Sequence, residues 1–165
     1  MKAKEYLLRI KKMNEVIENT LEEIQVLEAM AESMTAAMGG ERVQSSSDQQ
    51  RMANCVAKMA DMKRQLTDDI AKYTEIREEA IALVNSACDK DCIKLIRARY
   101  LGVYHAKSGK IKFKTWEQIA VENSFSYKWV SGGLHQRALS QVQKALDERQ
   151  ARMTNELMKN GSEEE

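Results

Sequence analysis

The stretch Thr115 to Leu139, TWEQIAVENSFSYKWVSGGLHQRAL, decides how this chain is read. It predicts two short helices joined by a tight turn, the second opening at Ser126. On the first helix Trp116, Ile119 and Ala120 form an i, i+3, i+4 stripe, and a residue as small as Ala120 lets a second helix cross it closely. Ser126 has the hydroxyl of an N-cap, and Phe125 before it is placed to staple the turn onto the core. Trp129, Val130 and Leu134, then Ala138 and Val142, are the expected inward positions of the second helix. Tyr127, Lys128, Ser131, Gly132 and His135 are left on its outer side. In a helix-turn-helix that outer, N-terminal face lies in the DNA major groove. Trp129 is expected as the plug between the helices, with stacking on DNA as the alternative. His135 lies late in the row, where plain solvation is the alternative.

The rest of the composition agrees with helices. The 165 residues suit one domain or two small ones, and the absence of proline beside abundant Glu, Lys, Ala, Met and Gln argues for long helices and little sheet. The opening MKAKEYLLRI lacks the apolar core of a signal peptide, and no run approaches the roughly 18 apolar residues of a membrane span. No membrane association is expected. Three cysteines, Cys55, Cys88 and Cys92, do not pair into a disulfide framework and suit a reducing cytoplasm.

Charge is divided along the chain. Residues 1–90 carry 13 Lys/Arg against 16 Asp/Glu, residues 91–146 carry 10 against 3, and residues 147–165 carry 3 against 6. The positive excess coincides with the paired-helix stretch, the electrostatic footprint expected of a nucleic-acid-binding module.

Residues 1–88 predict a long antiparallel helical hairpin. One heptad run places Ala3, Ile10, Ile17, Ile24, Ala31 and Met38 at a, with Tyr6, Met13, Thr20, Leu27 and Met34 at d. A second places Met52, Met59, Leu66, Tyr73, Ala80 and Ala87 at a, with Cys55, Met62, Asp69, Ile76 and Leu83 at d. Asp69 interrupts that seam, and Ile70 is expected to cover the gap. Between the runs, Gly39 and Gly40 are expected to end the first helix, and Ser47 with Gln50 to open the second as a capping box. A two-helix seam rich in Met and Ala has little core of its own, so self-association is expected, a dimer first.

The second part, 91–150, begins with CIKLIRARYL, a short basic helix with Ile93, Ile96 and Tyr100 on one face, ending at Gly102. In VYHAKSGKIKFK, Ser108-Gly109 separates short alternating runs, with Ile111 and Phe113 facing one way and Lys110, Lys112 and Lys114 the other. Two readings stay open: a small basic β-hairpin wing whose lysines meet phosphates, or a loop with scattered lysines. Residues 151–165 are read as a helical extension with a disordered acidic tail, Glu163 to Glu165. The class is therefore all-α, with or without the wing.

Taken in order, MKAKEYL, RVQSSSD, IRARYL, TWEQIA, FSYKWV and LHQRAL resemble the phage and prophage regulators of the ArpU/RinA type, whose C-terminal part is similar to region four of bacterial sigma factors. The resemblance covers most of the chain. It implies sequence-specific binding of duplex DNA, control of phage transcription in the cytoplasm of a bacterial host, and contact with RNA polymerase as a further expectation. By position, Ser126, Tyr127, Lys128, Ser131 and His135 would lie at the bases, and Thr115 and Arg137 near phosphates. The chain departs from the pattern at Asn123 and Ser124, and at Gly132-Gly133, which cost a helix roughly 2 kcal/mol relative to alanines and leave two readings open, a kink there or a helix ordered only on DNA.

Other chemistry is sparse. Cys88 and Cys92 are four apart, but no second motif completes a zinc site, so no metal or cofactor is expected. The pairs Asp68-Asp69 and Glu78-Glu79 are adjacent on a helix and so face different ways, which suits solvated charge rather than acid–base catalysis. With no phosphate loop or assembled nucleophile, a non-enzymatic role is expected. Two other classes remain: a small terminase subunit that binds DNA for packaging, and a coiled-coil adaptor without DNA binding.

Overall fold

The computed structural model describes residues 1–38 and 46–160. Among them are five α-helices, α1 (Ala3–Met38), α2 (Ser46–Ala87), α3 (Lys90–Ile96), α4 (Trp116–Glu122) and α5 (His135–Asn160). Two π-helical segments, Arg97–Leu101 and Trp129–Leu134, adjoin α3 and α5, and β1 (Val103–His105) pairs with β2 (Lys110–Lys112). The protein is thus mostly helical with one small antiparallel sheet, and no helix of the described residues is long and apolar enough to cross a membrane. Gly39, Gly40 and the tail Glu163 to Glu165 lie outside the described residues.

The chain forms two compact units, one of Lys12–Glu75 and one of Met1–Lys11 with Ile76–Glu165. The second therefore begins well before residue 91. Leu7 and Ile10 near the N-terminus and Ala80 and Val84 in α2 are fully buried in it, because both helix ends supply apolar faces that a module of residues 91–150 would leave uncovered.

Within Lys12–Glu75, Ile17, Ile24, Leu66 and Tyr73 are buried at their predicted a positions, while Leu27 and Met59 are half-buried. Lys58 pairs with Glu23 at 2.8 Å, Lys63 with Glu28 at 2.6 Å, and the Cys55 thiol lies 3.6 Å from the Leu27 carbonyl. These exposed ion pairs add little stability each. Two details differ from the sequence pattern. Ile70 is 42% exposed and does not cover the seam; Asp69 stays half-buried there and accepts a bond from Gln65, which satisfies one carboxylate oxygen. Ser47 lies inside α2, not at its cap, and Gln50 reaches Asn54 instead of turning back. Asn14, outside the a/d pattern, is buried and donates to Glu18.

In the other unit, the core combines Ala3, Tyr6, Leu7, Ile10, Ala80 and Val84 with Cys92, Leu95, Ile96, Ala98, Tyr100, Leu101, Ile119, Ala120, Val130, Leu134, Ala138 and Val142. Ile10 is fully buried there and Ile76 is half-buried. The expected 91–101 helix starts one residue earlier and widens into a π turn, so Cys92 and Leu95 join Ile96 and Tyr100 inside and Ile93 stays half-buried. Where the π turn ends, Arg77 donates to the carbonyls of Leu101 at 2.9 Å and Gly102 at 3.0 Å, satisfying acceptors left open at a helix C-terminus. Gly102 has φ +68°, and a Cβ there would collide with Ile111 on β2. Glycine is what lets the chain turn tightly over the hairpin.

Asp89 anchors α3 to α5. As N-cap it accepts from the Cys92 N–H at 3.1 Å; its other oxygen accepts from Gln141 at 2.8 Å and pairs with Arg137 at 2.8 Å. Its own N–H donates back to Gln141. The Gln141 hydrogen bond, then the Cys92 N–H and the Arg137 guanidinium, hold its carboxyl down at about 2. A depressed carboxylate stabilises the fold fully above its unfolded pKa near 3.9, and that contribution is lost as pH falls toward about 2. Asp89→Ala should cost about 1–2 kcal/mol in urea unfolding at pH 7, and the difference from wild type should shrink below pH 3.

Candidate nucleic-acid interface

The geometry of this surface starts at Thr115. Its hydroxyl accepts from the Gln118 N–H at 3.3 Å while the Gln118 side chain accepts from the Thr115 N–H at 2.9 Å, a complete capping box opening α4. The helix closes with Phe125 N–H bonded to the Ala120 carbonyl at 2.9 Å and Ser124 N–H to the Val121 carbonyl at 3.2 Å. That is the Schellman pattern, and its left-handed position is Ser124, φ +55°. Asn123 instead turns its amide onto the Ile119 carbonyl at 2.8 Å. Ser126 then caps the next helix, its hydroxyl accepting from the Trp129 N–H at 3.2 Å.

From residue 127 the chain is helical to Asn160, in the π form over Trp129–Leu134. Val130, Leu134, Ala138 and Val142 are all buried, as their pattern predicts. They are spaced by four. A regular α-helix would rotate such a row steadily out of the core, and the wider i→i+5 turn brings it back. The same local unwinding puts Trp129 on the surface, 45% exposed, contrary to its expected role as a plug. Its ring lies against Gly133, where a Cβ would collide with Cζ3 and come within 2.6 Å of Cε3; nothing lies within 4 Å of a Cβ at Gly132. The glycine pair sits in this π turn.

His135 points the other way from its expected outward placement. Its Nε2 is 2.8 Å from the Tyr100 hydroxyl, its ring lies 4.8 Å from that of Trp116, and Arg99 covers the Trp116 ring at 4.6 Å. Burial pushes its pKa down, helped by Lys4 and Arg99 and opposed by a hydrogen bond with the Ser131 backbone.

The remaining predicted site residues divide in two. Tyr127 and Lys128 are exposed on the first turn, and Lys110 and Lys112 are exposed on β2. Four others make bonds inside the fold. Ser131 donates to the Tyr127 carbonyl at 2.9 Å, Lys114 pairs with Glu122 at 2.6 Å, Arg137 pairs with Asp89, and the Thr115 hydroxyl is occupied by its cap. The stretch 103–114 does form a hairpin, with Val103 opposite Lys112, Tyr104 opposite Ile111 and His105 opposite Lys110. Its turn bonds the Ser108 and Gly109 N–H groups to the His105 carbonyl, with Gly109 at φ +63°. Tyr104, 64% exposed, is an aromatic group on this basic hairpin that the sequence pattern did not single out.

Burial raises the Cys88 thiol to about 11 and the Cys92 thiol to about 12, so neither is a nucleophile near neutrality. Among the described residues no cluster of His, Cys, Asp and Glu is placed to hold a metal ion. Comparison with protein-family models finds no match, and comparisons with curated proteins and with solved structures find none either.

The two glycines should respond differently to substitution. Gly132→Ala is expected to raise stability by about 0.5–1 kcal/mol, since the methyl meets open space on a helix. Gly133→Ala should lose that gain by displacing the indole, with a shift in tryptophan emission; equal stabilisation by both would contradict the packing. The depressed His135 pKa means its neutral form stabilises the fold above about pH 6.5, a contribution lost as pH falls below that value. Stability should therefore decline from pH 7 to pH 5, and His135→Phe should flatten that slope in urea melts at each pH.

Proposed function

We propose that this protein binds duplex DNA through a helix-turn-helix made of α4 and the helical segment that follows Ser126, with the β1–β2 hairpin as a basic wing. The observation that carries this reading is the exposed first turn of that segment. Tyr127, Lys128 and Trp129 stand together there, one tight turn from α4, within a stretch of 10 Lys/Arg against 3 Asp/Glu. In the major groove a helix presents its N-terminal residues to base edges. Lys110 and Lys112, on a hairpin with no acidic residue, suit phosphates. The resemblance to ArpU/RinA-type regulators makes the proposed role non-enzymatic control of phage transcription, with RNA polymerase as a further partner.

The unit Lys12–Glu75 fits an antiparallel hairpin that joins copies of the chain. Val16, Leu21, Val26, Met30, Val56 and Ile70 are exposed on it and supply apolar side chains that a second copy could cover. Pairing two readers would match two half-sites one helical turn apart. A small terminase subunit would also bind DNA, and ring-sized assemblies in sedimentation would favour that reading over a dimer.

The test uses the full chain, because Met1–Lys11 and the end of α2 belong to the same compact unit as the proposed reader. Affinity for duplex DNA should fall steeply with salt, log K against log salt having a slope near −4 to −5 for about four to six neutralised phosphates. Lys112→Ala should weaken binding to all duplexes alike. Lys128→Ala should erode sequence preference by roughly 1–3 kcal/mol if it makes a base contact. A flat salt response, or no duplex binding at low salt, would count against the reading.

A further inference from the structure

We infer that Trp129 is a base-reading residue, and that what it reads is the C5-methyl group of thymine; the inference rests on the DNA-binding reading above. Three features of the surface point this way. A tryptophan in the first turn of a core helix is ordinarily drawn inside, since it buries more apolar area than any other side chain. Here the π turn satisfies the core with Val130 and Leu134 and leaves the indole 45% exposed. The ring rests against Gly133, where a Cβ would collide with it.

Gly132 beside it has nothing within 4 Å of where its Cβ would be. The helix surface at this point is therefore bare backbone next to a flat apolar ring, bounded by Tyr127 and Lys128. Bare backbone permits close approach of another surface, and the ring offers dispersion and desolvation rather than hydrogen-bond pairing along its face. In the major groove the base edges are mostly donors and acceptors, and the thymine methyl group is their one bulky apolar feature. The face of an indole complements that methyl, whereas its single donor lies at the ring edge. Insertion between base pairs is a device of minor-groove binders and does not suit a helix presented to the major groove.

Trp129 would thus add discrimination at thymine beside the base contact proposed for Lys128, while the hairpin lysines supply affinity. Gly133 provides the seat of the ring, and Gly132 the clearance beside it.

The experiment is selection of binding sites from a random-sequence duplex library with the full-length chain, followed by replacement of each thymine of the selected site by deoxyuridine. This substitution removes one methyl group and preserves base pairing. Wild type should lose roughly three- to tenfold in affinity at one or two positions, the worth of one or two methyl burials. Trp129→Ala should bind the thymine and deoxyuridine duplexes equally, and Gly133→Ala, which keeps the indole and displaces it, should reduce the discrimination. Both substitutions lie on the surface, and circular dichroism checks that the helices persist. If a site is selected but deoxyuridine changes nothing, or if Trp129→Ala retains the methyl preference, the inference fails and DNA binding stands. Binding without selection of any site also overturns it alone. If the library is not retained at low salt, this inference and the DNA-binding reading fall together.

Discussion

The row Val130, Leu134, Ala138 and Val142 holds the C-terminal helical segment in the core, and its spacing of four shapes the surface on the other side. An α-helix repeats every 3.6 residues, so a row spaced by four drifts by about 40° per step. The drift is tolerable over two steps and not over three. Widening the turn over Trp129–Leu134 removes it where α4 crosses, and glycine at 133 leaves room for the Trp129 ring against that turn. The exposed indole and the bare backbone are therefore consequences of how the core is filled.

A second constraint fixes where that segment begins. Ser124 accepts a left-handed conformation so that Ser124 and Phe125 can return their N–H groups to the end of α4. For a residue with a Cβ this costs roughly 1–2 kcal/mol. The cost is offset by two satisfied carbonyls, by the Asn123 amide on a third acceptor site, and by the Ser126 cap immediately after. The last two need polar side chains of a definite length, Asn123 and Ser126, and they support a tight corner that has no glycine.

Much of the helical layout was legible from local pattern. The a positions Ile10, Ile17, Ile24, Leu66 and Tyr73 are buried because a heptad repeat is a statement about one face of one helix, and long helices obey it. The partition of the core was not legible. Nothing in the spacing of Leu7, Ile10, Ala80 and Val84 says that they pack with a module eighty or more residues away in one case and a few residues away in the other. At the surface, the outward positions Tyr127 and Lys128 followed from periodicity, but the reading assumed a regular helix. A π turn breaks that assumption, and it exchanges Trp129 for His135. The signal that could have exposed it was the glycine four residues after the tryptophan, since i and i+4 are neighbours on a helix.

The side chains withdrawn from the surface show a second limit of pattern reading. Thr115 and Gln118 have the T-x-x-Q spacing of a capping box, so the hydroxyl was spoken for by its own helix before any phosphate was considered. Lys114 and Arg137 carry charge that composition counts in full, yet Glu122 and Asp89 neutralise it within the fold. A net positive stretch is thus a bound on the field that a surface can project, and the part left to project comes from residues such as Lys112 and Lys128. These sit on separate elements, a strand edge and a helix start. Their ammonium groups project charge at range, whereas the half-exposed Trp129 indole acts only on contact.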